Sequence, residues 1–212
     1  MKKVLLILFS ALLISQTGCL GSLIRDSAKD TPLNNKMLLH RNARVGDFAV
    51  FQGANGTAQV KMKIIAKTGG LYLIRTKTGY VLPGVGFRNT LTIDVYTDWR
   101  GNIKKGYLID GSEKIPLKVA APGQNEYRVP YRLSAAQKRK FGLDSRVTVK
   151  AGTFRVSTVA FKSREKEKDT IIIYQVNSRA KFMHVAGYSF IKNGSEYQKH
   201  PALEMIEQGN RR

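Results

Sequence analysis

Three histidines are the residues of this chain whose side chains could bind a transition metal through imidazole nitrogen: His40, His184 and His200. A zinc site needs three or four side chains that converge on the ion, and its ligands usually follow one another at short, regular spacings. None of the three histidines has another histidine or a cysteine at such a spacing. The sequence therefore predicts structural or surface roles for them, and neither a metal nor any other cofactor is expected.

The serine, glycine and aspartate residues give no better sign of catalysis. The serines considered as nucleophiles lie outside any G-x-S-x-G turn: Ser157, Ser163, Ser178 and Ser189. Gly84-Val85-Gly86 has two of the three glycines of a dinucleotide-binding loop, but no helical pattern follows it. Asp94 and Asp98 are candidates for an acid–base pair, yet their spacing across a strand end does not bring them together predictably. We therefore expect that the protein is not an enzyme.

The thiol of Cys19 is the remaining reactive group, and Cys19 is the single cysteine of the chain. It has no partner for a disulfide bond, and a free thiol is a liability in an oxidising compartment. A basic start at Lys2 and Lys3 and an apolar run over residues 4–14 precede it. This order, basic then apolar then small and polar, is typical of an export signal. The apolar run is shorter than the roughly 20 residues that span a bilayer.

Thr17 and Gly18, placed directly before Cys19, resemble the lipobox of bacterial lipoproteins. The resemblance implies that the Cys19 thiol takes a diacylglycerol, that residues 1–18 are removed, and that the new amino terminus is acylated, typically with palmitate. Leu20 rather than Asp follows the cysteine, which by the same resemblance implies transfer to the outer membrane. Several acyl chains anchor a protein firmly, whereas one chain binds only marginally. The alternative is an ordinary secretory signal with an incidental cysteine.

Charge is the most unusual feature of the composition, with 36 Lys and Arg against 15 Asp and Glu and a formal net charge of +21. Removal of Lys2 and Lys3 with the signal lowers this charge by two. Such an excess predicts an anionic partner, and outside the cytoplasm this means anionic lipid, lipopolysaccharide or an acidic polymer rather than nucleic acid. The alternative is that the lysines only solvate a β-rich surface and block pairing at strand edges.

Alternation of apolar and polar residues with a period of two predicts β-strands along most of the mature chain. The clearest case is residues 58–66, which are followed by the turn Gly69-Gly70. Residues 171–174 are apolar without alternation, which predicts a central strand covered on both faces. Further strands are predicted at residues 71–75, 91–96, 103–109, 114–119, 146–150, 153–162, 170–176 and 182–192.

Two helical segments are predicted. Ser134 can cap a short helix that Gly142 closes, and residues 201–208 are expected to form a closing helical turn. The predicted fold is mainly β, either a single antiparallel curved sheet of the half-barrel or barrel type or a β-sandwich, with one or two short helices. The predicted organisation is a signal peptide at 1–18, the lipidated cysteine and a tether at 19–44, a β-rich domain at 45–208 and a frayed C-terminus at 209–212.

The segment Val149-Lys150-Ala151-Gly152-Thr153-Phe154, of the form V-x-A-G-x-F, leads into a long predicted strand pair. It resembles uncharacterised β-rich periplasmic and lipoprotein domains, which are similar to the curved half-barrel of LolA/LolB-type and LppX-type lipoprotein carriers. In a half-barrel, a concave apolar face would accept acyl chains while basic residues at its rim meet the phosphate head. The residues expected to line it are Phe154, Val156, Ile171, Ile173 and Tyr188. The alternative is a filled core.

Trp99 and Arg100 lie in a predicted turn between two strands. An exposed Trp beside a cation is common where proteins contact sugars or membrane interfaces, and the alternative is a Trp folded onto the core. Two functions therefore remain open. The first is a lipid-anchored envelope protein whose basic β-domain binds an amphiphile or another envelope component. The second is a surface-exposed adhesion or structural lipoprotein that binds acidic polymers and has no ligand cavity.

Overall fold

The structure is a computed structural model of the whole chain. It describes residues 26–54, 56–82, 84, 86–121, 128–163, 169–193 and 195–211. The predicted signal peptide, Cys19 and the lipobox-like residues before it lie outside the described residues, so these predictions rest on the sequence.

The described residues form thirteen strands and two short helical segments. The strands are β1 (Asp47–Gly53), β2 (Ala58–Thr68), β3 (Leu71–Leu82), β4 (Gly86–Thr97), β5 (Ile103–Asp110), β6 (Glu113–Leu117), β7 (Arg128–Tyr131), β8 (Arg146–Val149), β9 (Gly152–Arg155), β10 (Ser157–Ser163), β11 (Thr170–Val176), β12 (His184–Asn193) and β13 (Glu196–Asn210). The helical segments are residues 26–30 (α1) and Ala135–Lys140 (α2).

Eleven of these strands pair in one antiparallel sheet, in the order β6-β5-β4-β3-β2-β1-β13-β12-β11-β10-β7, and β8 pairs with β9 in a separate ribbon. Strand β13 lies between β1 and β12 and so joins the first six strands to the last ones. The order ends at β6 and β7, which do not pair with each other among the described residues. The prediction of a mainly β protein with one curved antiparallel sheet and short helices is therefore confirmed, and the sheet is not closed.

Local sequence explains the clearest elements. Gly69 and Gly70 both have positive φ, 57° and 77°, which is the backbone that a two-residue type I′ hairpin requires between β2 and β3. Ile171, Ile172 and Ile173 are all buried, and β11 lies between β10 and β12. The predicted central strand is confirmed.

The short helix α2 follows the prediction from Ser134. The Ser134 hydroxyl accepts a hydrogen bond from the Gln137 N–H at 3.1 Å, and the Gln137 side-chain oxygen accepts one from the Ser134 N–H at 2.9 Å. This reciprocal pair is a capping box, which satisfies backbone donors that the helix leaves unpaired. Gly142 has a φ of 59° and ends the helix in the left-handed region.

The helical turn predicted at residues 201–208 is wrong. These residues belong to β13, which spans Glu196–Asn210 and pairs with β1 on one side and with β12 on the other. Pairing on both sides supplies the backbone hydrogen bonds that a local helix would otherwise make. Pro201 is tolerated because it lies at a register shift between Gly187 and Tyr188, where the ladder is irregular.

The predicted frayed C-terminus is also corrected. Asn210 pairs with Asp47, and the Arg211 N–H donates to the Gly46 carbonyl at 2.9 Å. The Asn210 side chain also donates to the Val45 carbonyl at 3.1 Å. Residues 209–211 are therefore part of the sheet and its immediate extension, because β1 offers them a complete antiparallel partner.

The single strand predicted at residues 153–162 is two strands in different sheets. β9 ends at Arg155 and β10 begins at Ser157, and the N–H of Val156 between them donates to the Ser145 carbonyl at 2.8 Å. That bond ties the junction to the segment before β8 and turns the chain from the ribbon into the large sheet. Strand periodicity continued across the break, so it did not reveal the change of sheet.

The N-terminal segment packs against the sheet over much of the predicted tether. The Leu33 N–H donates a hydrogen bond to the Lys118 carbonyl at 2.8 Å, and the Met37 N–H donates one to the Gly101 carbonyl at 2.8 Å. Leu39 is 7% exposed. The tether prediction is therefore corrected for residues 33–44, because their apolar side chains and backbone groups find partners on the sheet.

Apolar side chains form three buried clusters. The largest covers one face of β1–β5 and includes Val149 and Phe154 of the ribbon. The second joins residues on either side of α2 to β10–β12, with the rings of Phe141 and Phe190 stacked at 4.1 Å. The third packs Ala28 of α1 against β4–β6. The loops, ribbon and helices therefore serve as covers for the sheet.

Candidate functional site

The five predicted lining residues do not meet around one cavity. Phe154 and Val156 belong to the largest cluster, whereas Ile171, Ile173 and Tyr188 belong to or pack against the second one under α2. Phe154 is 8% exposed and Ile173 is fully buried. The structure thus separates the predicted lining into two packed clusters, which corresponds to the filled-core alternative at these positions.

The surface of the described part of the chain includes two grooves of interest. The first has a volume of about 410 Å³ and lies between β10 and the segment that leads into α2; its lining residues are Tyr131, Arg132, Leu133, Lys138, Thr158, Val159, Ala160 and Phe161. The second has a volume of about 350 Å³ and lies between residues 40–42 and the link from β11 to β12. Both are small and open at the surface rather than enclosed by the sheet.

A lysine-rich surface covers the outer side of β2–β6. Residues directly opposite each other in an antiparallel pair share a face, as do residues two apart in one strand. The register therefore places on one face the side chains that we call the basic face: Lys61, Lys63, Arg75, Lys77, Lys105 and Lys114.

Two of the carboxylates on this side of the described sheet, Asp94 and Glu207, are engaged by arginines, whereas Glu204 of β13 lies opposite Gln52. Asp94 is 2% exposed and accepts two hydrogen bonds from Arg75, both at 2.7 Å, which raise the pKa of the Arg75 guanidinium. Glu207 of β13 is paired with Arg211. Within the described residues, no carboxylate forms an ion pair with any lysine of the basic face. The five lysines of this face therefore present uncompensated charge to solvent.

Aromatic rings support two of these lysines. The Lys61 ammonium lies 3.9 Å from the centre of the Phe87 ring, and that of Lys105 lies 4.5 Å from the centre of the Tyr96 ring. Tyr96 in turn meets the edge of Tyr107 at 6.1 Å. Rings under the ammonium groups hold the aliphatic stems against the sheet and leave the charged ends available to a partner.

Trp99 is 60% exposed at the turn between β4 and β5, and the Arg100 guanidinium lies 4.7 Å from the centre of its ring. Asp98 builds the turn by accepting hydrogen bonds from the backbone N–H groups of Arg100 and Asn102, both at 2.9 Å. Burial alone would raise the pKa of Asp98, but hydrogen bonds led by those from Asn102 lower it to about 2. The alternative of a Trp folded onto the core is not what the structure shows.

The candidate acid–base pair is not assembled, because Asp94 is bound to Arg75 while Asp98 builds the turn. His184 lies between the rings of Phe51 and Tyr174, at 5.4 and 4.9 Å, and burial lowers its pKa to about 4. In the residues that the structure describes, no three His, Cys, Asp or Glu side chains are grouped as metal ligands. No helix of that part of the chain has the length and hydropathy to cross a bilayer.

The basic face was missed by sequence reasoning because its register depends on a β-bulge. The turn Gly69-Gly70 alone would place Lys61 opposite Thr78 and Lys63 opposite Thr76. A bulge between Ile64 and Ala66 shifts the register by one residue and brings Lys61 opposite Lys77 and Lys63 opposite Arg75. Neither the total charge nor the turn could reveal that arrangement.

Comparisons with known proteins give structural similarity at low sequence identity. No protein-family model and no curated protein matches the chain. A hypothetical protein from Chlamydia trachomatis superposes with a TM-score of 0.44 at 12% identity, covering 80% of this chain and 89% of the other. An exported-protein candidate with a YmcC-like fold from Bacteroides fragilis gives 0.41 at 9% identity, covering 82% and 100%. A lipoprotein candidate from Parabacteroides distasonis gives 0.40 at 12% identity, covering 82% and 99%.

Proposed function

We propose that this protein is a lipid-anchored, non-enzymatic protein of the bacterial envelope whose basic face binds an anionic membrane surface. The lipobox-like sequence before Cys19 supports the anchor, and Leu20 supports the outer membrane as its location. The observation that carries the binding proposal is the direct cross-strand pairing of Lys61 with Lys77, beside that of Lys63 with Arg75. This surface replaces the predicted concave lining as the site of function.

Like charges directly opposite each other in an antiparallel pair destabilise the sheet. An anionic surface relieves this repulsion when it binds, so part of the cost of the arrangement in solution becomes binding free energy. Near an anionic membrane each lysine contributes about 1 kcal/mol of attraction, so the five lysines supply on the order of 5 kcal/mol. That is enough for reversible surface binding, and the acyl anchor adds to it.

The covalent anchor favours a membrane over a soluble polymer as the partner. Because an extended chain spans at most about 3.6 Å per residue, residue 26 stays within about 25 Å of Cys19. The described domain therefore remains beside the bilayer that holds the acyl chains, and the lipid headgroups there are at high effective concentration. Lipopolysaccharide phosphates offer the same chemistry in the same location.

Trp99 and Arg100 give this surface an interfacial contact. An indole ring places its apolar body among acyl chains and its N–H among headgroups, and Trp is accordingly enriched at membrane interfaces. The turn that presents Trp99 leads directly into β5, which carries Lys105 of the basic face. We expect the ring to enter the interface while the lysines bind headgroups.

The test is vesicle binding by the chain from residue 19 onward with Cys19→Ser, which keeps every described residue and removes acylation. Vesicles of phosphatidylcholine with and without phosphatidylglycerol are compared by sedimentation. The variant K61Q/K63Q/K77Q/K105Q is compared with K140Q/K150Q/K192Q/K199Q, which removes the same charge from exposed lysines elsewhere. The first variant should bind anionic vesicles at least about tenfold more weakly, and the second should bind within about twofold of the parent.

Equal losses in the two variants would mean that only net charge matters and would contradict the proposal. Equally tight binding to vesicles that contain phosphatidylcholine and no phosphatidylglycerol would contradict it as well. Stronger binding to a soluble acidic polysaccharide than to anionic vesicles would favour the adhesion or structural alternative. Adding salt should weaken the specific binding, because exposed charges are screened within about 8 Å at physiological ionic strength.

Amphiphile binding remains a second candidate, and the first groove is the observation that favours it. Val159 is 37% exposed there beside Phe161, while Arg132 and Lys138 supply positive charge. An acyl chain on the apolar residues would place its anionic head at those cations. Native mass spectrometry of the purified protein should then detect a bound lipid that R132Q/K138Q loses, and a lipid-free protein would exclude this candidate.

A further inference from the structure

The second groove has the composition of an anion site. It lies where the segment before β1 meets the link between β11 and β12 and has a volume of about 350 Å³. We call it the arginine pocket; its lining residues are His40, Arg41, Asn42, Ser178, Arg179 and Met183. The side chains of this set provide two guanidinium groups, an imidazole, a hydroxyl and an amide, and no carboxylate lines it.

We propose that the arginine pocket binds a phosphate group, with Arg41 and Arg179 as its charged ligands. A guanidinium group presents paired N–H donors that match the oxygens of a phosphate, and such hydrogen bonds are about twice as strong as neutral ones. Within the described residues, neither arginine forms an ion pair with a carboxylate. Two arginines left without anionic partners on facing walls of one groove favour an oxyanion between them.

His40 adds a donor whose position follows from its hydrogen bonding. The Nδ1 atom of His40 accepts a hydrogen bond from the Asn42 N–H at 3.0 Å. A neutral imidazole that accepts at one nitrogen carries its proton on the other, so His40 presents an N–H donor at Nε2. This donor, with the hydroxyl of Ser178, complements the oxygens of a phosphate, which accept hydrogen bonds from several directions.

The two walls of the pocket are held by the core, so the arginines are carried on fixed backbone. The His40 N–H donates to the Lys181 carbonyl at 3.4 Å, which joins one wall to the other. Leu39 behind the first wall is 7% exposed, and Ala180 and Phe182 behind the second are 0% and 1% exposed. A site with prearranged walls loses little conformational freedom when a ligand binds.

Backbone strain is concentrated in the second wall. Met183 has a φ of 54°, and it is the one non-glycine residue with positive φ in the part of the chain that is described. Its N–H donates to the Ala180 carbonyl and its carbonyl accepts from the Asn177 N–H, both at 2.8 Å. A non-glycine residue in this conformation costs on the order of 1 kcal/mol. The hydrogen bond between the Asn177 N–H and the Met183 carbonyl closes this loop, which carries Ser178 and Arg179.

The carboxylate of Asp47 does not compete for the pocket arginines. Asp47 is fully buried and is bound by the Lys181 ammonium at 3.1 Å and by the Asn210 amide at 2.9 Å. Lys181 is consequently engaged away from the groove, and the positive charge of the pocket comes from Arg41 and Arg179. The phosphate could belong to a lipid headgroup or to a free phosphate, and the chemistry of recognition is the same for both.

The experiment is isothermal titration calorimetry on the chain from residue 19 onward carrying Cys19→Ser, with inorganic phosphate and with water-soluble dihexanoyl phosphatidic acid as separate probes. The variant R41Q/R179Q is compared with R88Q/R146Q, which removes the same charge from exposed arginines on β4 and β8. Loss of a charged hydrogen-bond partner weakens binding by about tenfold or more for each arginine. The control variant should bind within about twofold of the parent.

Binding of either probe that R41Q/R179Q loses and R88Q/R146Q keeps supports the pocket. If inorganic phosphate and phosphatidic acid bind with similar affinity, the phosphate group alone is recognised. If only phosphatidic acid binds, the phosphate that the pocket recognises is that of a lipid headgroup. No binding of either probe, or equal losses in the two variants, overturns the proposal. The pocket is independent of the proposed function, because the basic-face variant K61Q/K63Q/K77Q/K105Q should keep the calorimetric signal whatever its vesicle binding.

Discussion

Lys61 lies directly opposite Lys77 where β2 pairs with β3, and two positions along the same register Lys63 lies opposite Arg75. The two pairs differ in what surrounds them. Arg75 is bound by the buried carboxylate of Asp94, whereas no carboxylate within the described residues is paired with Lys61 or Lys77. The repulsion in the first pair is therefore uncompensated in solution, and the second is relieved on one side. Removing one cation from each pair should therefore change the free energy of unfolding by different amounts.

Replacing Lys77 with Gln should stabilise the fold by about 0.5 kcal/mol at low ionic strength, because it removes a like-charge cross-strand pair. The gain should shrink when salt screens the two ammonium groups. Urea denaturation at low and high salt measures both effects. Lys63→Gln is the matched control and should gain less, since Asp94 already neutralises Arg75. Destabilisation by Lys77→Gln at both salt concentrations would contradict this reading of the pair.

The buried carboxylate of Asp47 should make stability depend on pH. Burial alone would raise its pKa, but hydrogen bonds from Asn210 and the Arg44 N–H and the charge of Lys181 lower it below the ordinary value. A carboxyl whose folded pKa is lowered stabilises the fold above its unfolded pKa of about 3.9. This stabilisation should be lost progressively as the pH falls from that value through the folded pKa.

Asn210→Ala tests how much the hydrogen bond from the Asn210 amide contributes to the lowered pKa of Asp47. It removes one donor from a fully buried acceptor and should cost about 1–2 kcal/mol at neutral pH. Because the ionised form of Asp47 then gains less from folding, the acid-dependent part of the stability should also become smaller. Denaturation curves across the acid range compare the variant with Asn193→Ala, an exposed residue that ends β12. An unchanged acid dependence in Asn210→Ala would show that this contact does not set the pKa of Asp47.

Gly101→Ala should release the N-terminal segment from the sheet. Gly101 has a φ of 79°, and a Cβ there would lie 2.0 Å from the Met37 carbonyl oxygen. We expect a loss of about 2 kcal/mol, together with faster hydrogen exchange at the Met37 amide, which donates to the Gly101 carbonyl. Gly111→Ala is the control, because its φ is also positive but nothing lies within 4 Å of its Cβ. Faster exchange at Met37 in both variants would indicate general destabilisation.

Local sequence signals were sufficient for much of this fold. The turn Gly69-Gly70 and the cap at Ser134 act within a few residues, and the hydrophobic run at 171–174 indicates burial by itself. Apart from the strand break at Val156, the errors involve partners distant in sequence. Residues 201–208 form a strand because β1 and β12 accept them from both sides, and Asn210 is ordered by Asp47 at the other end of the chain.

The candidate sites were also hard to predict, because they depend on contacts between residues distant in sequence. Composition indicated an anionic partner, but the placement of charge depended on register, which brings Lys61 to Lys77. The predicted lining failed to meet because Phe154 belongs to a ribbon that is separate from the sheet carrying Ile173. Arg41 and Arg179 are brought to one groove by a tertiary contact between distant segments. No spacing in the sequence relates those two residues.

Trp99 provides the most direct test of membrane contact, since it is the single tryptophan of the chain. Its ring is 60% exposed, so Trp99→Ala should change the free energy of unfolding by less than about 0.5 kcal/mol. If the ring enters the membrane interface, its fluorescence should shift to shorter wavelength when anionic vesicles are added. Trp99→Ala should weaken vesicle binding by about tenfold, because burying an aromatic side chain contributes on the order of 1.5–3 kcal/mol.

The conservative variant separates interfacial burial from a role in building the turn. Trp99→Phe keeps an apolar ring beside Arg100, and Asp98 still accepts the hydrogen bonds that form the turn, so it should retain most of the binding. If the emission of Trp99 does not shift while the vesicles bind the protein, the basic face acts without this residue. Full binding by Trp99→Ala would lead to the same conclusion, and the membrane contact would then rest on Lys61, Lys77 and their neighbours alone.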